Sequence, residues 1–203
     1  MARLFGTDGV RGVANTELTA QMAFQLGQAG AYVLGQAHSA PRILVGKDTR
    51  ISGDMLECAL AAGICSVGGE AIFAGVMTTP GVAYLARKYG CAAGAVISAS
   101  HNPMEYNGIK FFDGEGFKLP DAVEDAIEAV IRQGGPEQLP SGAGLGRTER
   151  VDGRGDYLAF LKGLSEADLS GLRIAVDCAN GAASDLAPQL LRDLGAEVID
   201  IND

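Results

Sequence analysis

Positive charge is in short supply: 16 lysines and arginines face 25 aspartates and glutamates, leaving a formal net charge of -9 and a pI near 4.7. Nucleic acid or an anionic membrane would repel such a body, so the expected partner is a small molecule. Long apolar runs are also missing. No stretch approaches the roughly 20 residues of a membrane span, and the opening MARLFGTDGVRG lacks the apolar segment of a secretory signal. A cytoplasmic location is expected. Cysteine is sparse, and Cys58, Cys65, Cys91 and Cys178 show no C-x-x-C spacing. Cys58 and Cys65 lie seven apart on one helical face, so small, buried, reduced side chains are expected.

The familiar nucleotide and hydrolase signatures are absent as well. Gly46-Lys47 lacks the upstream glycine of a Walker A loop. Gly142-Ala-Gly144-Leu-Gly146 has neither dinucleotide spacing nor a preceding strand. There is no G-x-S-x-G elbow, and the second histidine, His38, sits in a polar loop signal between Gln36 and Pro41, far from a Ser-His-Asp arrangement.

What is present is a regular α/β alternation in a chain of 203 residues, 47% hydrophobic, enough to bury a core. Leu18, Met22, Leu26, Ala29 and Val33 recur at helical spacing over 18–35. Residues 42–46 read as a buried strand, Ser52 as the cap of a helix through about Val67, Gly68-Gly69 as its stop, and 70–74 as the next strand. Pro80 opens another helix that Gly90 closes; strands follow at 92–98 and 109–112, then a helix over about 120–133. This order implies a mainly parallel, mixed sheet with helices on both faces.

Residues 134–150 combine five glycines and two prolines with few large apolar side chains, as an interdomain segment would. The expected division is a first domain at 1–135, a linker at 136–152 and an incomplete second domain at 153–203. Strand, helix and strand at 172–178, 182–194 and 196–201 repeat the earlier pattern weakly, Arg173-Ile-Ala-Val-Asp177 lying over Arg42-Ile-Leu-Val-Gly46. Two strands alone would leave a sheet uncovered, so the chain reads as part of a longer protein.

One stretch carries the chemistry. In GAVISASHNPMEYNGIKFF, residues 94–112, an apolar strand breaks off at Ser98-Ala-Ser100-His101-Asn102-Pro103 and resumes after Asn107-Gly108, with Lys110 ten residues beyond Ser100. Backbone amides at such a strand end can surround an anion, and His101 or Lys110 could activate the hydroxyl and stabilise developing charge. The plain alternative is a tight connection built by two turn signals, with Ser100 bonding its own backbone.

Ser98-Ala-Ser100-His101-Asn102-Pro103 followed by Tyr106-Asn107-Gly-Ile-Lys110 resembles the phosphoserine loop of the α-D-phosphohexomutases. Phe5-Gly-Thr-Asp-Gly-Val-Arg-Gly12 and Gly46-Lys-Asp-Thr-Arg50 resemble two further motifs of that family, in the same order. The opening is most similar to bacterial members acting on glucosamine phosphates; mannose or glucose phosphate, or a noncatalytic phosphate- or partner-binding module, remain alternatives. The resemblance implies four domains around a cleft, of which this chain would supply the first and the start of the second.

It also implies that Ser100 carries a transferable phosphoryl group, exchanged with the sugar through a bisphosphate intermediate that doubles as activator. Glucosamine 6-phosphate and glucosamine 1-phosphate would interconvert, feeding peptidoglycan precursor synthesis. Phosphoserine carries about -1.5 to -2 charges and calls for cations and donors. Arg11, His101 and Lys110 would supply them, Lys110 as general acid-base. The plain readings are a surface pair of Arg11 with Asp8, a turn-stabilising His101 and a solvated Lys110. Thr7, Asp8, Asp48, Arg50, Asn102 and Asn107 are expected to support the loop. Magnesium would be held by a Ser100 phosphate oxygen and three aspartates of a D-x-D-x-D loop that this sequence lacks, so the 203 residues alone are expected to be inactive. Oligomeric state is open, a homodimer of the full-length enzyme being one arrangement.

Overall fold

The computed structural model describes residues 3–37 and 40–202, so His38 lies outside the described residues. Six strands form the main sheet: β1 (Val10–Val13), β2 (Arg42–Lys47), β3 (Glu70–Val76), β4 (Ala93–Ile97), β5 (Tyr106–Asp113) and β6 (Thr148–Arg150). Their spatial order is β1-β5-β4-β2-β3-β6. The strands β4, β2, β3 and β6 run parallel, whereas β5 is antiparallel to both β4 and β1. Central β4 is buried at every position, as a strand covered on both faces should be.

Six helices accompany the sheet: α1 (Ala20–Leu34), α2 (Ser52–Ser66), α3 (Thr79–Lys88), α4 (Asp121–Arg132), α5 (Gly153–Gly163) and α6 (Leu186–Asp193). Ile43, Val45, Ala95, Ile97 and Ile109 point from the sheet into one core with Leu26, Leu56, Leu60 and Ile127 of α1, α2 and α4. The alternate positions Leu44, Ile72 and Val96 form a second core with Leu85 of α3 and Tyr157 of α5. Helices α1 and α2 touch backbone to backbone, since a Cβ at Gly63 would lie 2.0 Å from the Phe24 carbonyl oxygen. A smaller parallel pair, β7 (Arg173–Asp177) and β8 (Glu197–Ile201), stands apart from the main sheet. No helix among the described residues is long and apolar enough to cross a membrane.

Several expectations need correcting. Ser52 is not a capping residue: Ile51 occupies that position without a side-chain cap bond, and the Ser52 hydroxyl instead accepts from Asn107 Nδ2 at 2.9 Å. Asn107-Gly108 is no turn; both residues lie within β5. Glycine is required there because a Cβ at Gly108 would meet Arg11 Cγ and the Ser98 carbonyl oxygen, each at 2.8 Å. Cys58 is exposed and Cys65 and Cys178 half-buried, leaving Cys91 as the one buried thiol of the four. The helical face that α2 turns inward carries Leu56, Leu60 and Ile64 instead. Within 134–150, residues 148–150 extend the main sheet as β6, pairing Ala71 with Thr148 and Phe73 with Arg150.

Candidate active site

The C-terminal ends of the central parallel strands meet in one place, where ligands collect in open α/β sheets. Strand β4 stops at Ile97, and Ser98 N–H donates to the Gly108 carbonyl (2.9 Å), while Asp48 N–H, just past β2, donates to the Ile97 carbonyl (3.0 Å). The serine loop and the Asp48-Thr-Arg50 segment are thereby fixed side by side. Ser100 itself is exposed and adopts φ +57, a left-handed backbone unusual for a residue with a side chain. Ser100 N–H donates to Ser98 Oγ (3.1 Å) and Asn102 N–H to the Ala99 carbonyl (3.1 Å). Those two amides are therefore engaged inside the loop and are not available to an anion.

Arg50 is the loop's main fastening. Its side chain is 11% exposed and donates to three carbonyls: Ser100 (2.9 Å), Asn102 (2.7 Å) and Pro103 (2.7 Å). Asp48 aims it by accepting from Arg50 Nε (3.0 Å) and Arg50 N–H (3.1 Å). With these bonds made, Arg50 is a scaffold for the loop more than a ligand for phosphate. Behind it, Lys47 Nζ reaches Asp54 at 2.5 Å and Glu57 at 2.6 Å on α2. Burial pulls the Lys47 ammonium down, but the two carboxylates outweigh it and leave the pKa above its ordinary 10.5. Asn107, wholly buried, adds a second brace, its Oδ1 accepting from Gly108 N–H at 2.8 Å.

The cationic residues are arranged unequally. His101 Nδ1 lies 3.4 Å from Ser100 Oγ, long for a hydrogen bond. Arg11 stands opposite Gly108 and Lys110 opposite Val96, so strand alternation places both side chains on the sheet face shared with Ser98. Arg11 Nη2 pairs with Asp8 Oδ2 at 3.1 Å, while Lys110 Nζ stands 3.9 Å from Asp8 Oδ1. Arg11 Nε is buried and has no partner, an orphaned donor that a ligand oxygen would satisfy. Thr7, Asp8 and Lys110 line a small cavity of ≈ 150 Å³ with Lys118 and Glu124. Ser100, His101, Asn102, Asp48 and Arg50 line a separate cleft of ≈ 890 Å³. The structure thus groups the serine loop with Asp48 and Arg50, and groups Lys110 with Thr7 and Asp8 on the β1–β5 edge.

Across the large cleft stand Ala179, Asn180, Gly181 and Ala182, which sequence reasoning missed. Ala179 and Asn180 adopt φ +49 and +51, and the Thr49 hydroxyl donates to the Asn180 carbonyl. The Asn180-Gly181 pair was the available signal, a turn dipeptide just beyond a strand.

Comparison with known proteins agrees with this geometry. Residues 2–138 match the family model described as phosphoglucomutase/phosphomannomutase, alpha/beta/alpha domain I. A phosphoglucosamine mutase of Thermoanaerobacter sp. (strain X514) is 59% identical over 200 residues, 98% of this chain and 45% of that protein. A phosphoglucosamine mutase of Clostridium perfringens (strain SM101 / Type A) is 59% identical over 207 residues, 100% of this chain and 46% of the relative. The chain thus spans less than half the length of these relatives. A phosphoglucomutase/phosphomannomutase family protein of Burkholderia thailandensis superposes with TM-score 0.81 at 28% identity, covering 98% of this chain and 44% of that one. With the expected fold present and the family model matching residues 2–138, the chain belongs to the phosphoglucomutase/phosphomannomutase family and carries its domain I.

Proposed function

We propose that the full-length protein is a phosphoglucosamine mutase in which Ser100 accepts and returns the phosphoryl group. The observation that carries this reading is the serine itself: an exposed hydroxyl held in a left-handed turn at a strand end, its loop fastened by Arg50 and opening on a cleft large enough for a phosphosugar. Relatives 59% identical bear that enzyme's name. In the transfer, the bond between phosphorus and Ser100 Oγ breaks as one forms to a sugar hydroxyl; the resulting bisphosphate reorients and returns its other phosphate to Ser100. Lys110 is assigned proton transfer with the sugar hydroxyl, and Arg11, with its unpartnered Nε, the phosphate oxygens. His101 is assigned contact with the phosphoryl group, and Thr7, Asp8, Asn102 and Asn107 support of the surrounding backbone.

Magnesium, which the family implies, does not fit the residues of this chain. A phosphoserine oxygen would be one ligand, yet Asp48 is committed to Arg50 and no group of three or more His, Cys, Asp or Glu suited to a metal occurs among the described residues. The domain division at 136–152, cytoplasmic location and a homodimer of the full-length enzyme belong to the same proposal.

The test compares turnover of glucosamine, mannose and glucose phosphates by the full-length protein and its Ser100→Ala variant. Glucosamine phosphate is expected to be preferred, and Ser100→Ala to remove turnover. Preference for another sugar would overturn the substrate assignment, and an active Ser100→Ala variant the chemistry.

A further inference from the structure

The Asp48-Thr-Arg50 segment touches both walls of the cleft at adjacent positions. Arg50 holds one wall, the serine loop, by three carbonyls. Thr49 holds the other through its hydroxyl on the Asn180 carbonyl. Asp48 joins the segment to the end of β4 through the Ile97 carbonyl, and Lys47 locks its root to α2.

Both gripped walls include left-handed backbone. Ser100, Ala179 and Asn180 all carry positive φ without being glycine, a backbone state that persists where the surroundings hold it. On the far wall, Ala179 N–H donates to Asp177 Oδ1 (2.8 Å) and Asn180 N–H to the Asn202 carbonyl (2.7 Å). Those bonds are internal to the second unit. A hydrogen bond from the Thr49 hydroxyl to the Asn180 carbonyl fastens this turn to the segment carrying Arg50.

We propose that Thr49 and Arg50 act as one positioning clasp that fixes the far wall at 179–182 relative to the serine loop, and so sets the width of the cleft. The inference rests on the mutase reading and goes beyond it, because a phosphosugar held between two walls reacts only if their separation is kept. A displacement of about 1 Å can cost on the order of 10²-fold in rate. Neither residue is asked to touch the substrate; both act through backbone that does.

The test uses steady-state kinetics on the full-length protein, with phosphorylation of Ser100 checked by peptide mapping. Thr49 is exposed, so Thr49→Val removes the hydroxyl at little risk to folding. It is expected to lower kcat about tenfold with KM and melting temperature little changed, and Thr49→Ser to restore kcat. Arg50→Lys keeps the charge, loses the planar fork and is expected to lower kcat on the order of 10²-fold. The double variant is expected to fall little below Arg50→Lys alone, because one clasp is broken once. Wild-type kcat in Thr49→Val, or losses that simply multiply, would overturn the proposal. Should Arg50→Lys fail to fold, the Thr49→Val and Thr49→Ser pair decides alone. A wild-type protein without turnover would remove the mutase reading and the clasp's catalytic role together, whereas an active wild type matched by Thr49→Val removes the clasp only.

Discussion

At the scale of single residues, Asn107 is a buried polar group with both ends of its amide answered. Asn107 has no exposed surface, donates to Ser52 Oγ and accepts from Gly108 N–H. Asn107→Ala would leave the Gly108 amide buried without its acceptor, a loss of about 1–3 kcal/mol, and a urea titration should show a lower midpoint at unchanged slope. Asp48 and Arg50 were legible as a motif but not as a mechanism. Aspartate and arginine two apart suggest a local pair, whereas the three carbonyls that Arg50 reaches lie about fifty positions along the chain. Thr49 stood within the same motif, but nothing in its neighbours foretells a partner at Asn180.

At the scale of elements, periodicity found α1, α2 and α4, end signals found α3, and apolar runs found β2, β3 and β4; the short β6 reads as linker. Periodicity missed β1, whose four residues VRGV are too short to show a period, and it broke β5 at Asn107-Gly108, where a close approach rather than a turn requires glycine. The segment around α5 was harder still. Tyr84 of α3 stacks on Phe160 of α5 with centroids 3.8 Å apart, and Asp156 accepts from Lys88 (2.7 Å) and the Tyr89 hydroxyl, so α5 packs on α3. Phe160→Ala is expected to speed amide exchange in α5 while leaving β4 protected; equal acceleration in both would contradict that docking. Among the thiols, burial pushes Cys91 up to about 11, so it should resist alkylation at neutral pH until the protein unfolds, while exposed Cys58 reacts first. Mass spectrometry of partially labelled protein reads the order.

At the scale of the whole molecule, charge acts in two ways. Lys88 and the Tyr89 hydroxyl bond Asp156, and Lys47 bonds Asp54, holding both carboxyls below their ordinary 3.8. Groups with depressed folded values stabilise above that point and lose the contribution as pH falls through the folded value. Lys47, raised above 10.5, behaves oppositely and loses its contribution only as pH rises past that point. Melting temperature is therefore expected to hold between these limits and to drop below about pH 4; Asp156→Asn should shrink the acid drop. The excess of acidic residues, read at the start as excluding anionic polymers, sets an unfavourable overall field against any anion, so under the proposed chemistry a dianion at Ser100 would need local positive charge. The most direct measurement is peptide mapping by mass spectrometry of the full-length protein after exposure to a hexose bisphosphate. One phosphoryl group on the peptide at Ser100, absent from Ser100→Ala, is the predicted result; phosphate on another residue, or turnover with Ser100 unmodified throughout, would contradict it.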